Sequence, residues 1–205
     1  MQQKFLYFDL GKVLVDFSVE QMLAQIAAVA GITAEAARAA AMDEGLMRQY
    51  ESGRLSSRQF YEKFCVSTGR RPDYDALAAA ASDIFTLKLP MLPLVAQLRQ
   101  AGYPMGILSN TCEIHWQYCV SRYHIVAECF AVHALSYRIG ALKPEADIFR
   151  AAAELAGVRP EEIFFVDDLA EHVGGAKAVG FDAVQFTTAE ALAAELRQRG
   201  LRFNY

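Results

Sequence analysis

The 205-residue sequence predicts an α/β fold: a doubly wound parallel sheet interrupted after its first strand by an all-helical insertion. Three observations predict it. A short apolar run at residues 4–10 is closed by Gly11. The long stretch that follows carries its apolar residues at helical spacing. Beyond Pro90, short apolar runs alternate with amphipathic helices.

The first run, KFLYFDL, is too short for a helix and apolar at successive positions, as a strand buried on both faces must be. Spacings of three and four then predict helices over 19–30, 33–42, 46–50, 56–66 and 74–85, punctuated by Gly31, Gly45, Gly53 and Gly69. After Pro90 the order is helix 92–100, strand 104–108, helix 112–122, strand 129–134, helix 146–156, strand 163–166, helix 173–179, strand 183–186 and helix 189–199. Residues 1–17 and 88–205 therefore form the α/β core domain, and 18–87 form the helical insertion. The alanine-rich stretches need no explanation beyond helix propensity.

Composition narrows the function. A hydrophobic content of 54% supports a sizeable core, and a net charge of -4 leaves no cationic excess to neutralise a nucleic-acid backbone or an anionic membrane. Cys65, Cys112, Cys119 and Cys129 show no paired CxxC spacing, so reduced thiols in a cytoplasm are expected. Residues 1–4 carry one basic residue, and Asp9 cuts short the apolar stretch that follows, so no leader is expected. No run approaches the roughly 18 apolar residues of a spanning helix.

Ligands of an open parallel sheet sit beyond the carboxyl ends of its strands. Polar clusters follow four of the apolar strands: Asp9 in FDLGKVLVD, Ser109, Asn110 and Thr111 in ILSNT, Lys143 in GALKPEADIF, and Asp167 with Asp168 in FFVDDLAEH. These residue types suit phosphoryl transfer, which needs a nucleophile, charge neutralisation and hydrogen bonds to three peripheral oxygens. A carboxylate such as Asp9 can attack phosphorus to give an acyl phosphate. Three neighbouring carboxylates repel one another unless a cation intervenes, and magnesium prefers oxygen ligands.

The order and local sequence of these clusters resemble the four motifs of the haloacid dehalogenase superfamily, with its Rossmann-like core, over essentially the whole chain. The resemblance implies that Asp9 is both nucleophile and magnesium ligand, and that the Gly11 carbonyl also binds the metal. It implies that Ser109, Asn110 and Lys143 bind the phosphate, that Asp168 is a direct metal ligand and that Asp167 is its partner. The insertion corresponds to the superfamily's mobile cap, with Arg48 and Glu51 in reach of the site on closure. FDLGKVLVDF, YESGRLSSRQF, LSNTCEIHW, LKPEADIF and FFVDDLAEHVGGA are similar to the subfamily of bacterial glucose 1-phosphate phosphatases, which suggests a small sugar phosphate as substrate. The implied activity is magnesium-dependent hydrolysis of a small phosphorylated metabolite. An inactive phosphate-binding module and a metal-independent 2-haloacid dehalogenase are the alternatives.

One position departs from the superfamily. Its phosphatases usually carry a second aspartate two residues after the nucleophile, serving as general acid and base; here, as in the subfamily resembled, that position is Gly11. Loss of a positioned proton donor costs on the order of 100- to 10,000-fold when the leaving group needs protonation. His115 and Asp16 are the candidates to replace it, Asp16 being equally a candidate helix cap near Ser18. Lys12 is read as either solvated or in contact with phosphate, and His172 as capping or hydrogen-bonding a neighbouring loop rather than shuttling protons.

Overall fold

The computed structural model describes residues 3–205. Residues 1 and 2, counted above in the core domain and in the N-terminal stretch read for a leader, lie outside the described residues. The core is a parallel five-stranded sheet formed by β1 (Phe5–Phe8), β4 (Met105–Ser109), β5 (Val132–Leu135), β6 (Ile163–Asp167) and β7 (Asp182–Gln185), in the order β5-β4-β1-β6-β7. Strand β1 is central and buried throughout. Leu6 and Phe8 enter one apolar cluster, with Met91, Leu94 and Leu192; Phe5 and Tyr7 enter the other, with Phe149, Phe165 and Ala176. Helices cover both faces: α6 (Met91–Gln100), α7 (Glu113–Arg122), α8 (His124–Glu128), α9 (Ser136–Ile139), α10 (Ala146–Ala156), α11 (Ala170–Val179) and α12 (Ala189–Gln198), with a 3-10 turn at Pro160–Glu162.

Between β1 and α6 lie β2 (Val15–Phe17), α1 (Val19–Ala30), α2 (Ala34–Ala41), α3 (Glu44–Glu51), α4 (Ser57–Thr68), α5 (Tyr74–Ser82) and β3 (Phe85–Leu87). Four of these helices, α1, α2, α4 and α5, share their own core of Leu23, Ile26, Ala37, Phe64 and Leu77. The starts of all five are fixed chemically: Ser18, Thr33, Asp43, Ser56 and Asp73 each accept a backbone N–H in the first turn, and Gln59 completes a capping box with Ser56. Gly31 and Gly69 close α1 and α4 in the left-handed conformation at φ 63°.

The structure corrects the sequence reading in four places. The helix expected over 74–85 ends at Ser82: Phe85 begins β3, which pairs antiparallel with β2, Phe17 opposite Phe85, and forms a ribbon where the insertion leaves and rejoins the core. Strands of three residues carry too little periodicity to be seen. Gly45 lies within α3 instead of preceding it, the short α8 and α9 were not expected, and α11 begins at Ala170 rather than 173 because Gly174 and Gly175 obscure its pattern.

Those two glycines differ. A Cβ on Gly175 would lie 2.5 Å from the carbonyl oxygen of Pro144, so α11 packs directly on the loop that carries Lys143, whereas one on Gly174 would meet nothing within 4 Å. Gly175→Ala is expected to destabilise by about 1–3 kcal/mol through overpacking, while Gly174→Ala should stabilise by up to about 1 kcal/mol through helix propensity. Urea unfolding of the two variants checks the contrast; equal midpoints would contradict the close approach.

Candidate active site

Register places three strand ends together. Phe8 of β1 lies opposite Ile107 of β4 and Val166 of β6, and the Asp9 N–H donates to the Val166 carbonyl at 2.9 Å. Asp9 therefore emerges at the carboxyl edge of the sheet between Ser109 and Asp167. Carboxylate oxygens of Asp9, Asp167 and Asp168 lie within 4.8 Å of one another.

Lys143 reaches this cluster from the loop between α9 and α10. Its ammonium lies 2.9 Å from Asp9 Oδ1 and 2.6 Å from Asp167 Oδ2, and donates to the Leu108 carbonyl at 3.0 Å. Asn110 fixes that loop reciprocally: its Nδ2 donates to the Lys143 carbonyl at 3.0 Å and its Oδ1 accepts the Lys143 N–H at 2.8 Å. The Asn110 side chain, expected to bind substrate, thus positions Lys143.

Asp167 is wholly buried and committed to internal bonds. Besides Lys143, it accepts from His172 Nδ1 at 3.1 Å and from the Leu169 N–H at 2.9 Å. His172 is accordingly a support for Asp167. Asp168 is more accessible, and among the described residues its carboxylate makes no ion pair and no hydrogen bond to another side chain. Asp9 Oδ1 takes both the Lys143 contact and the Leu10 N–H at 2.7 Å.

The charges are coupled. Burial pushes the Asp9 carboxyl above its ordinary value; Lys143 pulls it back, Asp167 adds to the rise and Ser109 opposes it. Burial acts the same way on Asp167 but is outweighed by His172, Lys143 and the Leu169 N–H, which hold it low. Burial also opposes the charge on Lys143, and the two carboxylates outweigh it, so the ammonium persists above its usual range. Asp168 is raised by burial and by Asp167. Three carboxylates against one ammonium leave two negative charges, which a divalent cation offsets.

A cavity of about 150 Å3 opens beside this cluster between the sheet and the helical insertion. Gly11, Ser109, Asn110, Thr111 and His115 line its core side; Phe17, Val19, Met22, Met42, Met47, Glu51, Ile84 and Phe85 supply the remainder with Leu10. Two expectations change here. Asp16 does not line the cavity: it lies on β2, bonded through both oxygens to Lys88 Nζ at 2.9 Å, and Ser18 caps α1 in its stead. Lys12 is half-buried and turned toward Phe17: at φ 58° it donates to the Phe17 carbonyl at 2.9 Å with its ammonium 4.5 Å from that ring's centroid. His115 does line the cavity, with Nε2 3.1 Å from the Ala81 carbonyl.

Several contacts dock the insertion on the core. Ser136 Oγ donates to the Glu51 carbonyl at 2.6 Å and accepts the Thr111 N–H at 2.9 Å. Ser57 Oγ donates to Glu113 at 2.9 Å, Arg48 pairs with Glu145, and Tyr123 donates to the Phe85 carbonyl. Ser136 sits in no motif, and nothing short of tertiary contact identifies it.

Residues 4–180 match the model of the haloacid dehalogenase-like hydrolase family. A D-ribitol-5-phosphate phosphatase of Bacteroides thetaiotaomicron is 26% identical over 89% of this chain and 91% of its own length. A phosphatase of Mycobacterium tuberculosis is 32% identical over 55% of this chain, which spans about half (49%) of that protein. Among solved structures, a HAD family enzyme of B. thetaiotaomicron, crystallised with magnesium and inorganic phosphate, superposes with a TM-score of 0.81 at 26% identity over 91% of this chain and 95% of that one.

Proposed function

The chain belongs to the haloacid dehalogenase-like hydrolase family, and from that premise we propose that it is a magnesium-dependent phosphatase of a small phosphorylated metabolite, acting through an aspartyl phosphate on Asp9. The observation that carries this reading is the buried Asp9 carboxylate at the sheet edge, with one ammonium and two further carboxylates around it. The Lys143 and Leu10 contacts to Asp9 both fall on Oδ1. Oδ2 is the oxygen assigned to attack phosphorus. The P–O bond to the alcohol breaks as the bond to Oδ2 forms, and water then cleaves the acyl phosphate. The Ser109 hydroxyl and Lys143 face the peripheral oxygens, and Lys143 also holds the nucleophile in its ionised form.

The donor set fits magnesium: hard carboxylate oxygens, with an uncompensated charge that a divalent ion neutralises. Asp9 and Asp168 would hold it together with the Gly11 carbonyl, and Asp167 would steady Lys143 and the metal face. When bound, the ion offsets the charge of phosphate and carboxylates alike. Asp168→Ala is therefore expected to weaken magnesium binding by at least the roughly 10- to 100-fold that loss of an outer partner of a metal ligand already costs. Asp167→Ala should instead lower stability by about 3–5 kcal/mol by stranding Lys143 and His172. Calorimetric magnesium titration and thermal melts of both variants check this; equal affinities and equal melts would reverse the assignment.

The small cavity, the resemblance to glucose 1-phosphate phosphatases and the relative that acts on D-ribitol 5-phosphate support a sugar or polyol phosphate as substrate. A screen of phosphorylated metabolites with magnesium and with chelator tests the reading. Release of phosphate that depends on magnesium and favours such esters is expected. Turnover indifferent to chelation would sink it.

A further inference from the structure

The loop after the nucleophile has no acid to protonate the leaving oxygen, and the space beside it is occupied. A Cβ on Gly11 would lie 3.0 Å from Cε1 of Phe17. Asp16 is bound to Lys88 away from the cavity. Among the described residues lining the cavity, the side chains able to exchange a proton near neutrality are Glu51 and His115.

His115 is a poor donor. The Ala81 carbonyl can only accept, so the ring proton resides on Nε2 and is committed there, leaving Nδ1 as an acceptor. Burial holds this imidazole below its ordinary value, against the opposing effects of that bond and of Glu51, which favours the neutral ring.

Glu51 is differently placed. It ends α3, and its backbone is pinned to the core by Ser136, which also holds Thr111, next but one to Ser109. Close by, Gly53 at φ 69° brings the insertion so near α9 that a Cβ would lie 2.1 Å from the Tyr137 carbonyl oxygen. The Glu51 carboxyl makes no hydrogen bond or ion pair among the described residues and enters a cavity otherwise walled on that side by Met42, Met47 and Phe85. A carboxyl so enclosed favours its neutral, proton-bearing form. Burial raises it, with His115 of α7 and Lys143 of the α9–α10 loop opposing; the buried Cys112 thiol before α7 also faces it.

On the phosphatase reading above, we propose that Glu51, delivered by the helical insertion, is the catalytic proton donor that replaces the side chain missing at Gly11. As Asp9 Oδ2 bonds to phosphorus, the electron pair of the breaking P–O bond passes to the leaving oxygen, which takes the Glu51 proton and departs as an alcohol. The resulting Glu51 carboxylate accepts a proton from the water that attacks the aspartyl phosphate. Asp9 leaves as carboxylate, inorganic phosphate departs and Glu51 is again protonated. The insertion thereby carries part of the chemistry, and catalysis requires it docked.

The test is single-turnover phosphorylation with phosphate monoesters of graded leaving-group pKa, run with magnesium on the parent, Glu51→Gln and His115→Ala. Glu51→Gln should slow alkyl esters by about 100-fold or more and aryl esters by much less, steepening the dependence on leaving-group pKa. Partial unfolding cannot mimic this, because it lowers every ester equally and leaves the slope unchanged. Parallel lines for parent and Glu51→Gln, or steepening in His115→Ala alone, would overturn the assignment. A parent that turns over no ester would overturn the phosphatase reading itself, and this one with it.

Discussion

Asp9→Asn should abolish magnesium-dependent hydrolysis of an aryl phosphate, with a loss on the order of a million-fold, the scale seen when an enzyme is deprived of its covalent nucleophile. The amide has no anionic oxygen to attack phosphorus and offers a metal only a neutral one. An aryl ester isolates this step, since its leaving group departs without help from Glu51. Stability should move the other way. Burial raises the Asp9 carboxyl, so the folded state binds that proton more tightly than the unfolded chain does, and ionisation destabilises the fold as pH rises above the unfolded-state value. Neutral asparagine removes that penalty. The metal-free variant should melt above the parent at neutral pH, and the gain should vanish on acidification, where the parent carboxyl is protonated as well. Turnover assays and pH-dependent melts read both effects. A variant that is inactive because it is unfolded would show the opposite shift.

Lys143→Met should produce a loss of stability as large as that of Asp167→Ala. The ammonium is the cation shared by Asp9 and Asp167, and its side chain is 1% exposed. Removing it leaves two buried carboxylates uncompensated, a defect of about 3–5 kcal/mol. For a chain of this size the melting point should drop by roughly 6–20 °C. Magnesium should restore part of the loss, because it supplies positive charge to the same carboxylates, and should stabilise the variant more than the parent. Loss without magnesium rescue would mean that the metal and Lys143 do not serve the same charges. Lys143→Arg is not a conservative control, since the three acceptors around the ammonium are set for a compact point charge.

The sequence made the sheet and its edge legible because both follow from local pattern. FLYF can only be a strand buried on both faces, and polar residues directly after apolar strands must gather at one edge of a parallel sheet. Asp9, Ser109, Lys143, Asp167 and Asp168 could therefore be grouped before any coordinates. What stayed hidden depends on contacts between distant segments. The β2–β3 ribbon has three residues per strand, and the Ser136 bridge to Glu51 and Thr111 has no local signature. The choice among Asp16, His115 and Glu51 rests on partners that position along the chain cannot reveal: Lys88 occupies the first, the Ala81 carbonyl the second, and among the described residues no side-chain partner occupies the third.

The central claim is that Asp9 carries the phosphoryl group. Mixing the parent with a radiolabelled phosphate monoester and magnesium, quenching in acid within one turnover and mapping the labelled peptide tests it most directly. The account predicts label on the peptide containing Asp9, released by hydroxylamine as an acyl phosphate must be and absent with chelator or in Asp9→Asn. Phosphate release at full rate with no labelled protein, or with label on a peptide lacking Asp9, would contradict it.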